Sequence, residues 1–186
     1  MSAHPRTLAP RNFGVVVPGM LYRSASPLTM GMEARERFAR RLGLRTVVNV
    51  AEEEPDSTWP LGVLTLHLPG EKQMTQPAWE VWKGILLLKK RWPMLVHCHA
   101  GVERTGSYIA HAMVFLGLSL EDAIRSTIEH GSWEHGFLWT VPELRILRAS
   151  LQRLEIDGDV LALDEMLAVS VRGRERARAA RMREQA

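Results

Sequence analysis

Cys98 and Arg104 are the residues of this 186-residue chain best suited to chemistry. Cys98 is its single cysteine, and five residues separate it from Arg104 in the run His97-Cys98-His99-Ala100-Gly101-Val102-Glu103-Arg104-Thr105-Gly106. That spacing can wrap a loop around one tetrahedral oxyanion. The backbone amides of His99, Ala100, Gly101, Val102 and Glu103 would converge as an anion nest, and a helix starting near Arg104 would add the partial positive charge of its N-terminus. Gly101 permits a turn that a β-carbon would obstruct. The planar fork of Arg104 can hold two oxygens of a phosphoryl group, more tightly as charge shifts in the transition state. The same donors depress the pKa of a thiol, so Cys98 is expected to be a thiolate placed for in-line attack on phosphorus. The Thr105 hydroxyl can then donate to the sulfur as it leaves. His97 is expected to orient the loop through ring hydrogen bonds, and Gly106 to let the first helical turn pack close to a sheet. A shared metal is not expected at His97, Cys98 and His99, because consecutive side chains at a strand end point in different directions.

Such a loop needs a strand to deliver it and a helix to follow it. Residues 93–97 read as a short apolar strand, and residues 104–116 as a helix closed by Gly117. Upstream, residues 14–17 and 20–23 read as strands separated by the turn Pro18-Gly19. Thr29 can cap a helix reaching Arg41 and stopped by Gly43. Residues 45–50 and 62–68 read as further strands, and Pro77 sits in the first turn of a helix running to about Arg91. Ser119 caps another helix, residues 142–154 form the next, and residues 160–182 form one or two more. Strands alternating with helices, then helices alone, predict an α/β fold. A small, mostly parallel central sheet would be flanked by helices, with a helical C-terminal half.

Composition bounds the function. Hydrophobic residues make up 46% and charged residues 24%, as in a globular domain. A net charge of +3 is too small for a dedicated nucleic-acid binder. One cysteine excludes an internal disulfide framework and suits a reducing cytoplasm. No apolar run is long enough to span a membrane. We expect a leader over residues 1–11, a catalytic domain over 12–170 and an Arg-rich tail over 171–186.

The Cys98-to-Gly106 loop resembles the signature of the cysteine-dependent protein tyrosine phosphatase superfamily. The segments Asn12-Phe13-Gly14 and Leu21-Tyr22-Arg23-Ser24-Ala25-Ser26-Pro27 are similar to the entry strands of its compact dual-specificity-like members. The resemblance implies a phosphatase fold, a phosphocysteine intermediate and no cofactor. It also implies a carboxylic acid that protonates the leaving oxygen, usually an Asp on a loop after an earlier strand. Here that region reads His67-Leu68-Pro69-Gly70-Glu71-Lys72-Gln73 and has no Asp. Glu71 is the best substitute, and Asp56 and Glu103 are alternatives. Glu103 can instead serve in a salt bridge that orients Arg104 or another loop partner.

A phosphoinositide site in this superfamily often carries Lys inside the loop, and this loop has none. Glu103 at its rim would repel a polyanion unless something neutralises it. The expected substrate is therefore a phosphorylated protein, with phosphotyrosine and phosphoserine or phosphothreonine both admitted, or a small phosphomonoester. Trp133, His135, Phe137 and Trp139 line the mouth of the site or pack under a long loop. Other readings are a pseudophosphatase that binds phosphate without turnover, a phosphoinositide or metabolite phosphatase, and a rhodanese-type sulfurtransferase.

Overall fold

A computed structural model describes residues 9–52, 59–60, 62–130 and 139–156. Asp56, Trp133, His135, Phe137, the helices expected within 160–182 and the Arg-rich tail lie outside the described residues. Five short strands carry the fold: β1 Gly14–Val17, β2 Leu21–Ser24, β3 Thr46–Asn49, β4 Leu64–His67 and β5 Met94–His97. They form one sheet in the order β1-β2-β5-β3-β4. Only the β1–β2 pair is antiparallel, joined through Pro18-Gly19; the other three pairings are parallel. The mostly parallel sheet expected from the sequence is thus present.

Side chains alternate across the sheet and meet helices on both faces. Tyr22, Val47 and Leu95 pack with Phe38 and Ala39 of helix α1, Met32–Leu42. Leu21, Val48 and Val96 point the other way, toward α2 (Gln76–Leu87) and α3 (Glu103–Phe115). Trp79 and Trp82 of α2, Ile109 and Val114 of α3, Ala123 of α4 (Leu120–Glu129) and Leu151 of α5 (Val141–Ile156) complete that larger core. Helix α3 is buried along nearly its whole length between the sheet and the other three helices. Each large apolar side chain fully buried there contributes about 1.5–3 kcal/mol.

Helix boundaries follow capping chemistry. Thr75 and Ser119 accept hydrogen bonds from Ala78 and Asp122 at the starts of α2 and α4. Gly43 and Gly117 are left-handed at helix ends. The expectation that Thr29 starts the first long helix is corrected. Ser26 caps a short 3₁₀ turn, Pro27–Thr29, and α1 begins only after Gly31. Pro27 fits the first turn of such a short helix, and the extended Met30 and Gly31 interrupt it.

Candidate active site

The four parallel strands end in one row. Ser24 pairs with His97, His97 with Asn49, and Asn49 with His67. The loops leaving these residues converge outside the carboxyl ends of the strands, where α/β sheets bind ligands. They carry Ser26, Cys98, Glu52 and Glu71. A cavity of about 300 Å³ opens there, lined by Ser26, Leu28, Asn49, Ala51, His97, Cys98 and His99.

Cys98 leaves β5 with 5% of its surface exposed. The amide of Gly101 donates to its Sγ at 3.3 Å. The loop between Cys98 and Arg104 is fastened from behind through its carbonyls. Ser26 N–H donates to the His99 oxygen at 3.0 Å. Asn12 Nδ2 is shared between the Ala100 and Gly101 oxygens at 3.3 and 3.0 Å. Arg23 Nη2 donates to the Gly101 oxygen at 2.8 Å and reaches the Val102 oxygen at 3.5 Å. In a trans peptide the N–H points opposite to the C=O. Anchoring the carbonyls of residues 99–102 behind the loop therefore turns the amides of Ala100, Gly101, Val102 and Glu103 to its concave side. Gly101 makes this possible: its φ is +73°, and a β-carbon there would lie 2.4 Å from the carbonyl carbon and oxygen of Ser24.

Helix α3 begins at Glu103 with no side-chain cap, unlike α2 and α4, so its first amides are left for an anion. Arg104, in its first turn, keeps 25% of its side chain exposed and pairs with Glu52 at 3.0 Å. Thr105 is fully buried, and its Oγ1 has no hydrogen-bond partner among the described residues. His97 is buried at the end of β5, with its carbonyl bound by the Val50 amide at 2.8 Å; His99 is exposed at the rim. Gly106 does not face the sheet: the space for a β-carbon there is bounded by Trp139 and Thr127 of α4 at 3.3 and 3.4 Å. Helix α4 and Trp139 fill the side of α3 that the sequence reading gave to strands.

The expected proton donors fall in different places. Glu71 is exposed on the loop after β4. Glu103 forms a salt bridge with Lys72, which also holds Glu143 at 2.6 Å. Desolvation opposes charge on Lys72, but the hydrogen bonds to Glu103 and Glu143 outweigh it and raise its pKa. Lys72, then Thr140 at the start of α5, hold the Glu143 carboxyl down at about 2. Gly70 anchors the same loop: its amide donates to the Val50 oxygen at 3.3 Å, and its Cα lies against the Tyr108 ring, where a β-carbon would come within 2.7 Å.

Four contributors escaped the sequence reading. Glu52 and Lys72 lie in polar stretches with no pattern that marks them, and Asn12 and Arg23 enter the sequence reading only within the segments that resemble the family. Asn12 has φ +50°, which an Asn tolerates better than most residues. Arg23 left a signal: two residues after Leu21 on the same strand, it shares Leu21's face and so points into the core. Burying an unpaired charge costs several kcal/mol, where an apolar residue would gain about 2. A charge retained at such a position has work to do.

Several solved phosphatase structures share this fold. Pseudomonas aeruginosa TpbA matches with a TM-score of 0.58 and 25% identity over 83% of this chain and 91% of that one. The core catalytic domain of the PP-IP phosphatase Siw14 from S. cerevisiae gives 0.58 at 19% identity, over 83% and 96%. Human DUSP28 gives 0.55 at 20%, over 78% and 95%. Fold and loop thus define a phosphatase domain of the dual-specificity type. Residues 10–154 match the family model PTP-SAK, a Swiss Army Knife protein, DSP-PTPase phosphatase domain, and the chain belongs to that family. The curated dual specificity protein phosphatase TpbA of P. aeruginosa is 26% identical over 148 residues, 77% of this chain. The match spans 63% of that relative's length. No helix among the described residues is long and apolar enough to cross a membrane.

Proposed function

We propose that the protein hydrolyses phosphomonoesters through a phosphocysteine on Cys98, with phosphorylated tyrosine and serine or threonine side chains as its main substrates. The observation that carries this reading is the Gly101 amide aimed at Cys98 Sγ within a loop whose carbonyls are all tied back. Four amides, the uncapped start of α3 and the Arg104 fork can hold three phosphoryl oxygens around the sulfur. The thiolate attacks phosphorus and the P–O ester bond breaks. Glu71 gives its proton to the leaving oxygen. In the second step water attacks phosphorus and gives its proton to the Glu71 carboxylate, the P–S bond breaks, and Thr105 donates a hydrogen bond to the departing sulfur as phosphate leaves. Arg104 exchanges Glu52 for the substrate as the dianion enters. The bridge of Lys72 with Glu103 and Glu143 carries one positive and two negative charges at the rim. That balance favours a single phosphate over a polyphosphorylated ring. A thiol that must stay reduced suits the cytoplasm.

Release of phosphate from p-nitrophenyl phosphate and from phosphotyrosine and phosphothreonine peptides, with reductant and chelator present, tests the proposal. Wild type is expected to turn over all three, and Cys98→Ser to lose at least about 10³-fold in kcat. Full activity of Cys98→Ser overturns the mechanism. Phosphopeptide binding by wild type without turnover of any of the three would make the protein a binding module instead.

A further inference from the structure

We propose that Arg23 is a positioning residue of this site: from beneath the loop it fixes the peptides after Gly101 and Val102 and lends a second positive charge to Cys98. The inference rests on the reading of Cys98 as a thiolate nucleophile. Arg23 is 0% exposed on β2, the strand hydrogen-bonded to β5, from which Cys98 emerges. One Nη2 reaches two successive carbonyls, Gly101 and Val102. By the geometry of the trans peptide, those two bonds aim the Val102 and Glu103 amides at the bound anion. Its Nε and Nη1 have no hydrogen-bond partner among the described residues, although both are buried. A guanidinium kept for packing alone would have those donors satisfied. An uncompensated cation one strand from a thiol instead favours the ionised sulfur. The coupling runs both ways: burial pulls Arg23 down to about 10, and the Cys98 charge works against that pull. Arg23 therefore stays charged at neutral pH.

Other ionisable groups surround the pair. Arg104 lies at the start of α3 and is held by Glu52. His97 and His99 flank Cys98 in sequence. His130, at the end of α4, lies against Gly14 and close to Arg23. Burial and the charge of Arg23 lower the His130 pKa, so that ring adds no charge at neutral pH. Arg23 thus sits behind the loop and Arg104 at its mouth, while Lys72 is tied to Glu103 and Glu143 at the rim.

Because Cys98 is the single cysteine, iodoacetamide alkylation followed across pH reports its ionisation directly. In Arg23→Met the midpoint is expected to rise by about one pH unit, a tenfold loss of thiolate below the midpoint. In Arg23→Lys the charge is kept and the midpoint stays near wild type. The fork is lost, however, and protection by inorganic phosphate weakens about tenfold. A low wild-type midpoint left unmoved in folded Arg23→Met overturns the role of Arg23 alone. A wild-type midpoint near the ordinary thiol value overturns the thiolate reading, and this inference with it. Should Arg23→Met fail to fold, the ¹⁵N resonances of the Arg23 guanidinium in wild type replace it. An inflection at the thiol midpoint, missing in Cys98→Ser, supports the coupling, and a flat titration overturns it.

Discussion

Two loops meet at the candidate site, and they are held in different ways. The loop from Cys98 to Arg104 is tied back carbonyl by carbonyl, through Ser26, Asn12 and Arg23. The loop after β4 is held at its stem by Leu68 on Asn49, at Gly70 by Val50 and Tyr108, and at Lys72 between Glu103 and Glu143. Between the last two, Glu71 extends into solvent. In the first loop the backbone dipoles are set before any ligand arrives, so that binding requires little reorganisation. In the second, one side chain must reach from a fixed stem. In the proposed mechanism, charge recognition rests on the main chain together with Arg104, and proton delivery on the single rotatable carboxyl of Glu71.

The largest effect should come from disturbing the main chain. Gly101→Ala places a β-carbon at φ +73° against Ser24 backbone atoms 2.4 Å away, so the loop must shift. We expect kcat/KM for p-nitrophenyl phosphate to fall by about 10²-fold or more, with a lower Tm. Wild-type kinetics in that variant would show that the loop is not preset.

Removing the reaching side chain should cost less and should depend on the leaving group. Glu71→Gln is expected to lose about 10²-fold on an alkyl phosphate and little on the aryl ester. The proposed donor works in its protonated form, so the basic limb of the wild-type pH–rate profile is assigned to it. That basic limb should be absent from the pH–rate profile of Glu71→Gln. Lys72→Met loosens the stem and keeps the limb, with a smaller loss of rate. A basic limb surviving in Glu71→Gln would assign proton delivery to another carboxyl.

The smallest effect on rate should come from His111, two turns into α3 and away from the loop. His111 is buried, donates from Nδ1 to the Ser107 carbonyl at 2.8 Å, accepts at Nε2 from the Ser150 hydroxyl at 2.9 Å, and is pushed down to about 4 by desolvation. Its unfolded value is about 6.5, so the folded state binds the proton more weakly. Its contribution is present above pH 6.5 and is lost as pH falls toward 4. Urea unfolding across that range should show a decline that His111→Gln flattens, with phosphatase rate at neutral pH unchanged. A rate that falls with the substitution would mean that α3 transmits packing changes to the loop.

The two loops were also unequally legible. The Cys98–Arg104 spacing is dictated by the size of the anion it surrounds, so it could be read before any fold was known. The strand before it and the helix after it follow from the same requirement. The proton donor has no such constraint. Any loop at the carboxyl edge of the sheet can supply a carboxyl, and which one does depends on strand order, which pairing decides and local pattern does not. Glu103 illustrates the limit: it is adjacent to Arg104 in sequence, yet its partner is Lys72, while Arg104 takes Glu52 from the loop after β3. Arg23 was readable in principle, because two residues after Leu21 it shares that residue's inward face. Thr29 misled because Ser26-Pro27 forms a competing cap three residues earlier.

The hairpin of β1 and β2 is remote from the reaction when the chain is read end to end, but Asn12 and Arg23 make it the floor beneath the loop. A truncated fragment starting after Ser24 would keep every letter of the recognisable motif and lose what holds the motif in shape. Detecting that motif in a shortened or rearranged gene product is therefore no guarantee of a working catalyst.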